Sequence, residues 1–233
     1  MTDIFFYHVY IKSEYEIIIS SVILIIINYF IIRYGKKSAN DLKGSKLIVL
    51  AGDINIFVNI AILFFPLIGI FREIQMEYEV FKLYYIISHL IVLISSFITY
   101  GVFITIFGIK NKGNQNTIPI ATGVSIGISY LLQIITTIIY GIFLLNYSVI
   151  ENSYSTGLIQ LNYALDYLWA VYLILVNLSI TTYLFGIAIV FGQSVMNDLK
   201  WLKYAMFLLL IHFILMTNLY WIIPRIQNLL GVI

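Results

Sequence analysis

The chain has no cysteine, only three prolines and very little charge. The first absence excludes disulfides, thiolate nucleophiles, cysteine-ligated zinc and iron–sulfur clusters. Scarcity of charge is the larger constraint. Asp, Glu, Lys and Arg make up 10% of the residues, against about 25% in ordinary soluble domains. No lysine lies in the interior of an apolar run, which excludes a retinal Schiff base, and no arginine ladder marks a voltage sensor. No HExxH zinc motif occurs, and Lys43-Gly44-Ser45-Lys46 lacks the glycine spacing of a phosphate-binding loop. The first sixteen residues carry Asp3, Glu14 and Glu16 with no basic leading segment, so no cleavable signal peptide is expected.

What fills the chain instead is apolar side chain. Of 233 residues, 61% are hydrophobic and 48 are isoleucine, and the mean hydropathy is +0.98. A soluble fold of this size cannot hide that much apolar surface. Soluble globular, disordered and collagenous readings are excluded, and an all-α polytopic membrane bundle is expected. A spanning helix needs about 20 mostly apolar residues. Six stretches qualify, at about 15–34, 47–71, 83–109, 118–146, 160–192 and 202–223. The fifth is long for one span and short for two. Tyr163, Tyr167 and Trp169 read as an interfacial aromatic belt, which puts its lipid-embedded part at about 168–190. The loops are short and no repeat is visible, so residues 1–233 read as a single transmembrane domain.

Orientation follows from the basic residues. Arg33, Lys36, Lys37, Lys43, Lys46, Lys110, Lys112, Lys200 and Lys203 fall on one side, and Lys12, Arg72, Lys82 and Arg225 on the other. The side with nine reads as cytoplasmic, which puts both termini outside a multi-pass cell-membrane protein. Asn146-Tyr147-Ser148 forms a glycosylation sequon on the outer side, but abuts the membrane.

Polar residues inside the spans carry what functional signal there is. On span four, Thr122, Ser125, Ser129, Gln133, Thr136 and Tyr140 recur every three or four residues. At 100° per residue they fall within about 40° of one line and cover roughly 27 Å of depth. The other face carries Gly123 and Gly127, a GxxxG spacing that suits close helix contact. Ser96 on span three and Asn177 and Thr181 on span five are the expected partners of the stripe. Two readings of it stand: a hydrophilic pathway between helices, or inter-helix hydrogen bonding. Asp53, about seven residues into span two, reads either as a buried carboxylate or as an interfacial one near Lys43 and Lys46. His89 and His212 are buried polar candidates. As a pair they would suit a bis-histidine haem, but His89 lies roughly 5–8 Å and His212 roughly 16 Å below the outer surface, a poor match for one haem. Each is expected to bond a polar neighbour instead. No metal site and no cofactor is expected.

Gly123-Val124-Ser125-Ile126-Gly127 resembles the serine motif of rhomboid proteases, but Ser125 sits near the cytoplasmic end and no second oxyanion donor motif accompanies it. In size, six-span outline, absence of cysteine and a composition like that of thermoacidophilic archaea, the chain resembles the polytopic membrane subunit of the crenarchaeal DNA-import system. The resemblance covers the whole chain in outline and rests on no residue motif. It implies a non-enzymatic, channel-like subunit working with other membrane subunits and a cytoplasmic ATPase, with nucleic acid as the transported substrate. The rival reading is a membrane anchor or cytochrome b-like subunit of a respiratory complex using His89 or His212.

Overall fold

A computed structural model describes residues 14–72, 78–145 and 159–212, all of it helical apart from short loops. Long runs rich in Ile, Leu and Phe produce the helices. Helix α1 is Glu14–Lys37, α2 is Ser45–Arg72, and α3 is Tyr78–Ser96. A π-helical segment, Phe97–Phe103, joins α3 to α4, Ile104–Lys110, so these three form one continuous span. Helix α5 is Ile120–Leu145 and α6 is Ile159–Met196. A last helix, α7, occupies 200–212 within the described residues. Among the described residues five helices are long and apolar enough to cross a membrane: Ile18–Lys37, Ser45–Phe64, Ile86–Lys110, Ile120–Ile142 and Tyr167–Met196. Residues beyond 212, which would complete the expected sixth span, lie outside the described residues, as do both termini and the 146–148 sequon.

Region 160–192 resolves into one helix. With 38 residues α6 is about 57 Å long at 1.5 Å per residue, well beyond a hydrocarbon core of ~30 Å. Among the described residues its candidate span is Tyr167–Met196.

Helices consecutive in sequence pack side by side. Helix α1 lies along α2, α2 against the α3–π–α4 span, that span against α5, and α5 along α6. Helix α7 returns to α1 through Phe30, which stacks on Trp201 and meets Tyr204 edge-on. All the described loops, 38–44, 111–119 and 197–199, gather at one end, and side chains knit them together. The Asn111 side chain accepts from Lys43 N–H and donates to Lys43 C=O, both at 2.8 Å. Tyr34 donates to Asn116 C=O, and Gln193 and Asn197 both donate to Gln115 C=O. Gly44 and Gly113 take φ of +78° and +89° there, the left-handed region in which a Cβ is strained. The nine basic residues from Arg33 to Lys203 thus collect at this loop end.

Two glycine contacts set the spacing of the middle of the bundle. A Cβ on Gly101 would stand 2.8 Å from Gly127 Cα, and one on Gly123 would stand 2.6 Å from Thr105 N. The GxxxG face of α5 is therefore its seam with the third span, backbone against backbone.

Candidate functional site

The polar stripe of α5 faces α6. Ser129 is fully buried and donates to Ser179 C=O at 2.8 Å, with the two hydroxyls 3.3 Å apart. Gln133 donates to Ser129 Oγ, and Thr136 to Gln133 C=O. Ser125 lies beside Gly186, whose missing side chain lets the helices close. Tyr140 stacks on Tyr172, which stacks on Trp169. Asn177 and Thr181 are not part of this seam. They lie on the exposed face of α6 and bond their own helix, at Leu173 C=O and Asn177 C=O. Helical phase explains it: α6 turns Ser179, Tyr183 and Gly186 inward, and 177 and 181 fall outside that arc.

A different set of side chains converges at the centre. Tyr100, swung inward by the π segment, donates to Asn28 Oδ1 on α1. Tyr130 on α5 stands beside Tyr183 on α6 and Ser96 on α3. The rings of Tyr100 and Tyr130 stack 6.3 Å apart, and Tyr130 meets Tyr183 edge-on at 6.0 Å. Beside them Asn55 on α2 donates to Thr99 and accepts from Ser95. Asn28, Asn55, Tyr100, Tyr130 and Tyr183 each stand about ten to fourteen residues from the loop end of their helix, so they form one polar layer near mid-depth. In lipid, such groups are stable only when their hydrogen bonds are made within the bundle.

Next to this layer is a cavity of about 20 Å³, enough for a water molecule, which needs ~10–15 Å³. Its wall is apolar, and is built from all the helices except α2 and α3; Ile31, Ile104, Ile126, Val190 and Met206 are representative. Of the stripe, only Thr122 reaches it. Thr122 Oγ1 is buried without a hydrogen-bond partner, as are Thr117 Oγ1 and Asn59 Oδ1. Ile118, 2% exposed and carried by the 111–119 loop, closes the cavity toward the loop end.

The other candidates lie apart from this centre. His212 on α7 bonds Ser20 on α1 at 2.8 Å, while His89 sits on α3, which packs on α2 and α5. Asp53 is exposed on α2, which the cavity does not touch. Among the described residues no three His, Asp or Glu side chains cluster as a metal site would require. The tyrosine layer is what sequence reasoning underweighted. Its signal was available: Tyr100, Tyr130 and Tyr183 stand far from the interfacial depth at which membrane tyrosines concentrate. Fold and centre together define an all-helical bundle of membrane-spanning character. No family model, no curated protein and no solved structure matches the chain.

Proposed function

We propose that this chain is a non-enzymatic translocation component of a cell membrane, with the central cavity as its pathway in a shut state. In this reading α7 continues as the sixth span, the basic loop end faces the cytoplasm and both termini lie outside. The observation that carries the reading is the pairing of an apolar cavity with a layer of Tyr and Asn groups, three of whose tyrosines, Tyr100, Tyr130 and Tyr183, line it. Apolar constrictions hold a pore shut by excluding water. Small rotations of Tyr100, Tyr130 and Tyr183 would bring hydroxyls into the space and wet it. Ile118 is the second barrier, at the loop end.

Energy would come from a cytoplasmic ATPase or an ion gradient, since the chain has no phosphate-binding motif of its own. A cavity near 20 Å³ admits no polymer, so a nucleic acid substrate, as the outline resemblance implies, would cross between subunits or through a much wider state. The α5 stripe then serves as the hinge seam against α6 on which the wall moves.

Because the chain lacks cysteine, single cysteines report wetting directly. Ile126→Cys and Leu209→Cys face the cavity, and Ile128→Cys faces outward. A charged methanethiosulfonate reagent applied to membrane vesicles should modify the first two slowly, at the rate at which the pathway opens and wets, and spare the third, because only a hydrated thiol ionises and reacts. Adding Ile118→Ala should raise the rate at both cavity positions. Cavity thiols that stay inert with and without Ile118→Ala would overturn the pathway.

A further inference from the structure

Asp53 occupies a place that the single chain does not explain. It is exposed, eight residues beyond Ser45 on α2, about 12 Å along the helix. Its face is otherwise apolar and outward: Leu50, Phe57, Ile60 and Phe64 are 46%, 73%, 53% and 68% exposed. Asp53 forms no hydrogen bond or ion pair with any described residue. A carboxylate turned toward acyl chains is strongly disfavoured, and charged groups in spans are almost always turned inward or paired.

Its complement lies on the neighbouring helix. Arg33 is exposed on α1, on the same stripe as Val22, Ile26 and Tyr29, which are 44%, 43% and 44% exposed. Tyr29 Oη accepts the Arg33 Nε–H at 2.9 Å, and the guanidinium rests on the Tyr29 ring. This holds the side chain while leaving its two terminal amino groups to grip a carboxylate in parallel. Depth matches too. Gly52 packs on Asn28 and Ile32, and Gly35 on Ile48 and Val49, which sets Asp53 level with residues 30–31. Arg33 is then roughly 4 Å nearer the loop end, within reach of its long side chain.

The two stripes belong to one outer surface. On α1 the exposed stripe lies opposite the cavity-lining Ile27 and Ile31, and on α2 it lies opposite Asn55, which faces the third span. The α1–α2 hairpin therefore presents both stripes away from the bundle. We infer that this surface is the interface between two copies of the chain, related by a two-fold axis along the membrane normal. Such an axis preserves depth and brings α1 of each copy onto α2 of the other, so that Asp53 meets Arg33 of the second copy twice. The four helices form an intermolecular bundle with the phenylalanines of α2 packed against Ile26 and Val22. The tyrosine layer and the cavity are untouched by this contact, so the dimer stands or falls independently of the transport reading.

Cross-linking tests it. Two differently tagged copies are co-expressed, one with Ile26→Cys and the other with Phe57→Cys, which stand level across the two-fold. Mild oxidation should give a mixed-tag disulfide dimer in native membranes, and again after purification into lipid nanodiscs. Asp53→Arg and Arg33→Asp, each introduced into both tagged copies, should lower its yield about fivefold, and the two together should restore it, as charge reversal of a coupled pair requires. Asp53→Asn, which keeps the side-chain shape, should lower the yield in the same direction and reports even if the reversed charges impair folding. Absence of mixed-tag product from nanodiscs overturns the proposal. So does a yield indifferent to Asp53→Asn and to both charge reversals, or cross-linking only to a different membrane protein.

Discussion

Replacing Gly123 by alanine isolates the steric term at the α5 seam. A Cβ there would stand 2.5 Å from Thr105 Oγ1, 2.6 Å from Thr105 N and 3.0 Å from Thr105 Cα. The obstacle is mostly backbone, so no rotamer change relieves it, and α5 must withdraw by roughly 0.8 Å to reach ordinary contact. Over-packing of one methyl into a tight core costs about 1–3 kcal/mol. Thr105 also loses position, and with it the 2.6 Å bond from its hydroxyl to Gly101 C=O. Against this, alanine gains about 1 kcal/mol in helix propensity over glycine. Gly192→Ala is the matched control, because nothing lies within 4 Å of a Cβ at Gly192. The propensity gain is common to both, so the difference between the variants equals the steric term, about 1–3 kcal/mol. Reversible unfolding in mixed micelles, titrated with SDS and followed by circular dichroism, measures it. Gly123→Ala should be the less stable and Gly192→Ala equal to or better than the parent. Equal stability of the two variants would refute the backbone-to-backbone seam.

Tyr100→Phe removes the donor to Asn28 Oδ1. Intramembrane hydrogen bonds average about 0.6 kcal/mol and reach about 1.7, so stability should fall by that amount in the same titration, with the helical content unchanged. Combining it with Asn28→Leu should cost less than the sum of the two single changes, since they delete one bond; full additivity would show that the pair does not interact. Ser38→Cys, in the loop between α1 and α2, should resist an impermeant maleimide added to intact cells and react once the membrane is opened. Labelling in intact cells would reverse the proposed orientation.

Much of this architecture is legible in the residues alone. Class and element type followed from composition, because 48 isoleucines among so few charges leave lipid as the only adequate solvent. Five of the six spans expected from the lengths of apolar runs are present among the described residues, and the GxxxG spacing on α5 marked a close contact. Each of these is a local property: one helix in lipid satisfies its own backbone, so its existence and extent are written in its own residues.

Which face meets which neighbour is not local. The stripe from Thr122 to Tyr140 announced that α5 has a polar side, but only packing showed that α6 meets it through Ser179 and Gly186, while Asn177 and Thr181 turn away. The convergence of Tyr100, Tyr130 and Tyr183 depends on the π segment at Phe97–Phe103, whose extra residue per turn rephases everything after it. No pattern at 100° per residue anticipates that shift. Asp53 read from the sequence either as a buried carboxylate or as an interfacial one, and its direction was fixed only when α1 and the third span took the other faces of α2. Sequence thus determined what each helix is and where it starts. Tertiary structure alone decided azimuth, because rotation of a helix about its axis is set by the neighbours it packs against and not by its own turns.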